Sequence, residues 1–206
     1  MKPDQLPEVR AIAYRMLANL RAKIGDDDFL KQIAAPRSLA VCHEAGHAIM
    51  FTVDGVPVES IKVFLSPDPR TPGDHWHGFT AVEGSPPFSI RRDDPPKKLR
   101  QEIRYQIAGY AGELELYDGT VPPTSSIDER ALGVYVLEMC PQLIPSDRKR
   151  VNPKKASERT LDDIVEECRK IIRQQAAAGR AIITAMADKD CLDGAELRAI
   201  LDPINR

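Results

Sequence analysis

Residues Cys42 to Met50 read "CHEAGHAIM" and hold two of the chain's four histidines, with Glu44 directly after the first. On an α-helix His43 and His47 lie about 40° apart around the axis, one turn above each other. Two imidazoles placed that way can share one metal ion. Glu44, about 100° round from His43, is then close enough to act as general base on a water at the open side, which is the mechanical content of H-E-x-x-H. Ala45 and Gly46 are small and permit close approach of another element, although Gly46 costs up to about 1 kcal/mol of helix stability relative to Ala. Two buried, hydrogen-bonded histidines would read the same way. From this chain's His and Glu content, however, a chance H-E-x-x-H is expected only about once in two hundred such chains.

Working outward, Ser38 reads as the N-cap of this helix, which is expected to run to Val53 and stop at Asp54-Gly55. Upstream, "EVRAIAYRMLANLRAKI" (8–24) carries Val9, Ile12, Ala13, Met16, Leu17, Leu20 and Ile24 at helical spacing and forms an N-terminal helical arm, residues 1–37. A short helix is expected around "FLKQIAA". Downstream, "VESIKVFL" (58–65) and "HGFTAVE" (77–83) read as strands, followed by a proline-rich surface loop over 85–96. Helical patterns then cover about Lys97–Tyr117, "DERALGVYVLEMC", 161–187 and a short "LDGAELRAILD" capped by Asp193. The fold class expected is mainly α, with a small β-hairpin element and the N-terminal arm.

With 206 residues, 42% apolar and 29% charged, the chain is long enough for one domain with a proper core. A net charge of −2 gives no global basic field for nucleic acid or anionic lipid, and "DRKR" (147–150) reads as a solvated loop. No apolar run approaches the roughly 20 residues that span a bilayer. The N-terminus lacks the apolar core of a signal peptide, and Cys42, Cys140, Cys168 and Cys191 form no C-x-x-C pair. The expectation is a cytoplasmic protein with free thiols, interacting with neither nucleic acid nor membrane.

A catalytic zinc usually takes three protein ligands and leaves a position for water. Residue chemistry leaves the third ligand open among His75 or His77 in "DHWHG", Glu113 in "IAGYAGELELY" and Asp128 in "SSIDERAL". His75 and His77 read more simply as part of a solvent-facing loop edge.

Taken in order, "AVCHEAGHAIM", the β segment with "IKVF" and "GFT", "IAGYAGELELYDG", "TSSIDERAL" and "LDGAELRAIL" resemble the peptidase domain of the FtsH family of ATP-dependent zinc metalloproteases. The resemblance runs from about Leu39 to Leu201 and implies a zincin-like peptidase domain over residues 38–206. It implies one zinc ion held by His43, His47 and Asp128, with Glu44 as base. Gly109, Ala111 and Glu113 match the family's G-x-A-x-E segment, making Glu113 a candidate to orient a ligand histidine. Gly78, Phe79 and Thr80 would belong to a strand that pairs with extended substrate. Two local features depart from the family: Thr124 stands where it usually has glycine, and Asp128 precedes Ala131 by one residue fewer than its D-x-x-x-A pattern. The 206 residues also contain no G-x-x-x-x-G-K-[ST] and no membrane helix. The expected activity is therefore a zinc-dependent endopeptidase, ATP-independent on its own, acting on peptides or unfolded protein. A homo-oligomer or a separate ATPase partner is left open. The competing expectation is a non-catalytic zinc-containing interaction module derived from a peptidase fold, and the presence of Glu44 argues against it.

Overall fold

Apolar periodicity turns into eight helices and a three-stranded sheet in the computed structural model, which describes residues 7–25, 36–67, 74–84, 91, 93–122, 124–152 and 155–202. In chain order these are α1 (Pro7–Ile24), α2 (Arg37–Val53), β1 (Val58–Pro67), β2 (Asp74–Val82), α3 (Pro96–Leu116) and α4 (Ile127–Met139). They are followed by α5 (Ser146–Val151), α6 (Ala156–Gln174), α7 (Ala176–Ala185), β3 (Cys191–Asp193) and α8 (Gly194–Leu201). The chain is mainly α with a small antiparallel sheet, strand order β2-β1-β3.

The motif helix α2 is the centre of the fold. Its N-cap is Pro36 in an extended conformation, so Ser38 lies inside the first turn instead of capping it. The Arg37 guanidinium ties that end down, donating to the Met186 carbonyl at 2.9 Å and to Asp190 at 2.8 Å. Ala45, Ala48, Ile49 and Met50 are fully buried, and α2 packs against α3, β1, β2 and α7. The α2–α3 crossing is unusually close because glycines face each other. A Cβ on Gly46 would sit 2.3 Å from the Ala108 carbonyl oxygen, and one on Gly112 would sit 2.5 Å from that of Cys42. The apolar stripe of α3 runs through Leu99, Ile103, Ile107, Tyr110, Ala111 and Leu114, of which Tyr110 and Leu114 are partly buried and the other four fully buried. Each of the large, fully buried side chains contributes roughly 1.5–3 kcal/mol by leaving water.

Helix α1 buries Val9, Ile12 and Ala13 against α4, so this helix shares the core with the rest of the described residues. The third strand, β3, was not foreseen: three residues beginning at Cys191 pair with Ser60, Ile61 and Lys62. Asp193 caps α8 as expected, in a capping box with Glu196.

Three further expectations change. "DRKR" lies in helix α5, not a loop, and Arg148 pairs with Asp163 of α6 at 2.6 Å. The helix expected over 161–187 begins at Ala156 and is broken at Gln175, which turns α7 back onto α2. β1 extends to Pro67 and holds β2 in register back to Asp74. His75 and His77 are therefore strand residues opposite Ser66 and Phe64, not part of a loop edge. His75 is buried, and the half-buried His77 ring stacks on Phe64. The short helix expected around "FLKQIAA" and most of the proline-rich segment lie outside the described residues.

All four cysteines are free thiols. Burial pushes the thiols of Cys42 and Cys168 up to about 12, so both stay protonated at neutral pH. No described helix is long and apolar enough to cross a membrane.

Candidate metal centre

Helix α2 presents His43 and His47 on one face, and the first turn of α4 brings a carboxylate to them. The His43 and His47 Nε2 atoms lie 3.1 Å apart; Glu129 Oε1 lies 3.0 Å from the first and 3.5 Å from the second. Ligands on tetrahedral arms of about 2.0–2.1 Å are separated by about 3.3 Å, so this triangle has the size of one face of a zinc tetrahedron. These three residues are the metal-capable cluster found among the described residues. A His₂Glu donor set with one side left open is a recognised catalytic zinc arrangement.

The third member is Glu129, not Asp128. Ser126, the N-cap of α4, adopts a left-handed backbone (φ 51°), and the helix begins at Ile127. Successive residues point about 100° apart around the axis, so the direction of this first turn decides which of two adjacent carboxylates meets the histidines. His75, His77 and Glu113 do not join the group.

Glu113 instead occupies the other nitrogen of His43, whose Nδ1–H donates to Glu113 Oε1 at 2.8 Å. Ser126 Oγ donates to the same oxygen at 3.0 Å. This fixes the ring's orientation and turns Nε2 toward the cluster, the carboxylate–histidine arrangement that supports a histidine able to hold a metal. A missing side chain makes room for that ring: a Cβ on Gly109 would fall 2.2 Å from His43 Nε2.

The electrostatics of the group call for a cation. Burial works against charge on His43, but the Glu129 carboxylate and the ring's hydrogen bonds to both glutamates outweigh it and hold the imidazole well above its ordinary range. Burial likewise opposes ionisation of Glu129, yet the His43 and His47 interactions hold its carboxyl down at about 2. Glu129 Oε2 is buried without a hydrogen-bond partner, as is Glu113 Oε2. Unpaired buried carboxylate oxygens are costly, and a cation among the three ligands would answer Glu129. The residues present fit a zinc ion.

Glu44 is buried beside the cluster, with Oε1 4.0 Å from His43 Nε2. Its Oε2 accepts from Thr80 Oγ1 at 2.6 Å. Of the expected edge residues, Gly78 and Thr80 on β2 face Glu44, whereas Phe79 is exposed on the opposite face. β2 is the end strand of the sheet, paired only with β1 among the described residues. The sequence reading missed Glu129 as the third member of the cluster, Ser126 as a hydrogen-bond partner of Glu113 and Thr80 as partner of Glu44.

Neither protein-family models nor curated proteins match this chain.

Proposed function

We propose that this chain is a zinc-dependent endopeptidase that hydrolyses peptides or unfolded protein segments. The observation that carries the reading is the convergence of His43, His47 and Glu129 at ligand spacing beside a buried glutamate one position along from the first histidine. A zinc ion held there would supply Lewis-acid activation of water and of the scissile carbonyl at neutral pH.

The chain's own residues do the rest. Glu113 and Ser126 hold His43 in the ligating tautomer. Glu44 takes the proton from the attacking water on its Oε1 side and returns it to the leaving amine, general acid–base work that typically contributes 10²–10⁴-fold. The outer edge of β2 offers backbone groups to an extended substrate. Strand addition suits unfolded chains and peptides better than folded domains. The resemblance of the "CHEAGHAIM" and "IAGYAGELELY" motifs to FtsH-type peptidases points to the same assignment, with glutamate taking the role that aspartate has in that family.

The test combines metal content with hydrolysis of casein. Wild type purified without added metal should carry about one zinc per chain, Glu129→Ala should lose it, and Asp128→Ala should keep it. Glu44→Gln should keep zinc and lose at least about 100-fold in hydrolysis. Zinc bound fully by Glu129→Ala, or undiminished cleavage by Glu44→Gln, would sink the assignment. A wild type that binds zinc yet cleaves nothing over a range of substrates would point to the interaction module.

A further inference from the structure

The two oxygens of Glu44 have different surroundings. Oε1 faces the ligand cluster, while Oε2 is bound by the Thr80 hydroxyl in a contact short enough, at 2.6 Å, to be charge-assisted. The same hydroxyl oxygen lies 3.3 Å from the Glu44 backbone carbonyl. A hydroxyl has one proton to give, and the shorter contact takes it.

Helix α2 cannot orient this carboxylate by itself. A glutamate side chain has up to about 2 kcal/mol of rotamer entropy to lose, and Glu44 is only 3% exposed, so water cannot satisfy it freely. The orientation comes from β2. Gly78, two residues before Thr80 and on the same face of the strand, leaves the space that the carboxylate fills. A Cβ there would lie 2.3 Å from both Cγ and Oε1. One strand therefore provides both the space and the donor that aim the base.

We infer that Thr80 is the positioning residue of the general base, and that strand β2 sets the base's aim through it while presenting its outer edge to substrate. This rests on the peptidase reading above. The consequence is a coupling: a peptide adding to β2 steadies the strand that holds Glu44, so substrate engagement and base alignment share one element.

Thr80→Val removes the hydroxyl and keeps the branched shape, whereas Thr80→Ser keeps the hydroxyl. Thr80→Val should lower kcat about 10–100-fold, the scale expected for a misplaced catalytic group. Its KM should stay within about twofold and its zinc content should not change. Thr80→Ser should recover most of kcat. A Thr80→Val enzyme with wild-type kcat, or a Thr80→Ser enzyme equally impaired, would overturn the inference.

Crystal structures of both variants give a readout independent of turnover. The Glu44 carboxylate should leave its seat in Thr80→Val and keep it in Thr80→Ser. If wild type hydrolyses nothing, the peptidase reading fails, and these structures alone decide the positioning role: an unmoved carboxylate in Thr80→Val refutes it.

Discussion

On the helical side of the centre, the atoms crowding each glycine belong to backbone or to a ligand ring; on the strand side they belong to the end of one side chain. Gly46 and Gly112 face carbonyl oxygens of the opposite helix, and Gly109 faces the His43 imidazole. The atoms nearest Gly78 are the Glu44 carboxylate and the carbon before it. Neither helix axis can shift without disturbing the core, since the α2–α3 interface is filled by residues such as Ile49, Ile107 and Ala111 at zero exposure. The glutamate on the strand side can rotate. What holds the fold, what seats the His43 ring and what seats the Glu44 carboxylate are therefore separate, and each can be broken alone.

The largest effect on stability is expected at the helix crossing. Gly46→Ala brings a methyl to 2.3 Å from the Ala108 carbonyl oxygen and 2.8 Å from the Gly112 Cα, so the two helices must separate. Overpacking of this kind costs roughly 1–3 kcal/mol and occasionally more. Alanine returns up to about 1 kcal/mol through helix propensity. A net loss of about 1–2 kcal/mol should lower Tm by roughly 2–8 °C in a chain of this size, read by circular dichroism. An unchanged Tm would show that the crossing has slack and would dissolve the contrast between the two sides.

Gly109→Ala should be intermediate. Its new Cβ meets the His43 ring, which must swing out of line with His47 and Glu129. The metal-free protein should melt within about 3 °C of wild type, because the ring is not part of the apolar core. Zinc affinity, measured by competition with a chromophoric chelator, should fall at least about 10-fold, the scale seen when support of a ligand is disturbed. Wild-type affinity would mean that His43 is not a ligand at all.

Much of this division was legible in the sequence, and the places where it was not have identifiable causes. The periodicity of 39–53 and 97–117 located both helices of the crossing, and small residues at 45–46 announced a close neighbour. The hairpin was legible from its β-branched runs. Which side of α4 faces the histidines was not legible. That depends on Ser126 taking a positive φ, a conformation for which serine gives no signal and glycine is the usual choice. One residue of register at that turn exchanges Asp128 for Glu129. The role of Thr80 was hidden for a similar reason. Strand alternation says which residues share a face with Gly78, but not that this face meets Glu44 some 36 positions earlier in the chain. Local pattern reaches elements; it does not reach the pairing of their side chains.

Gly78→Ala should have the smallest effect on the fold and still cost most of the activity. In a strand, alanine replaces glycine with little penalty and some gain in backbone entropy. The nearest atoms to the new methyl are Cγ, Cδ and Oε1 of Glu44. The carboxylate can yield by rotating, which strips it of the Thr80 hydrogen bond and turns Oε1 away from the ligand cluster. Tm should therefore stay within about 2 °C and zinc content should be full, while kcat falls about 100-fold. Set beside Gly109→Ala, this gives a double dissociation: one variant without its metal affinity, the other with metal but without an aimed base. Loss of zinc from Gly78→Ala would show that the base and the ligands move together. The strand would then be supporting the whole centre, not Glu44 alone.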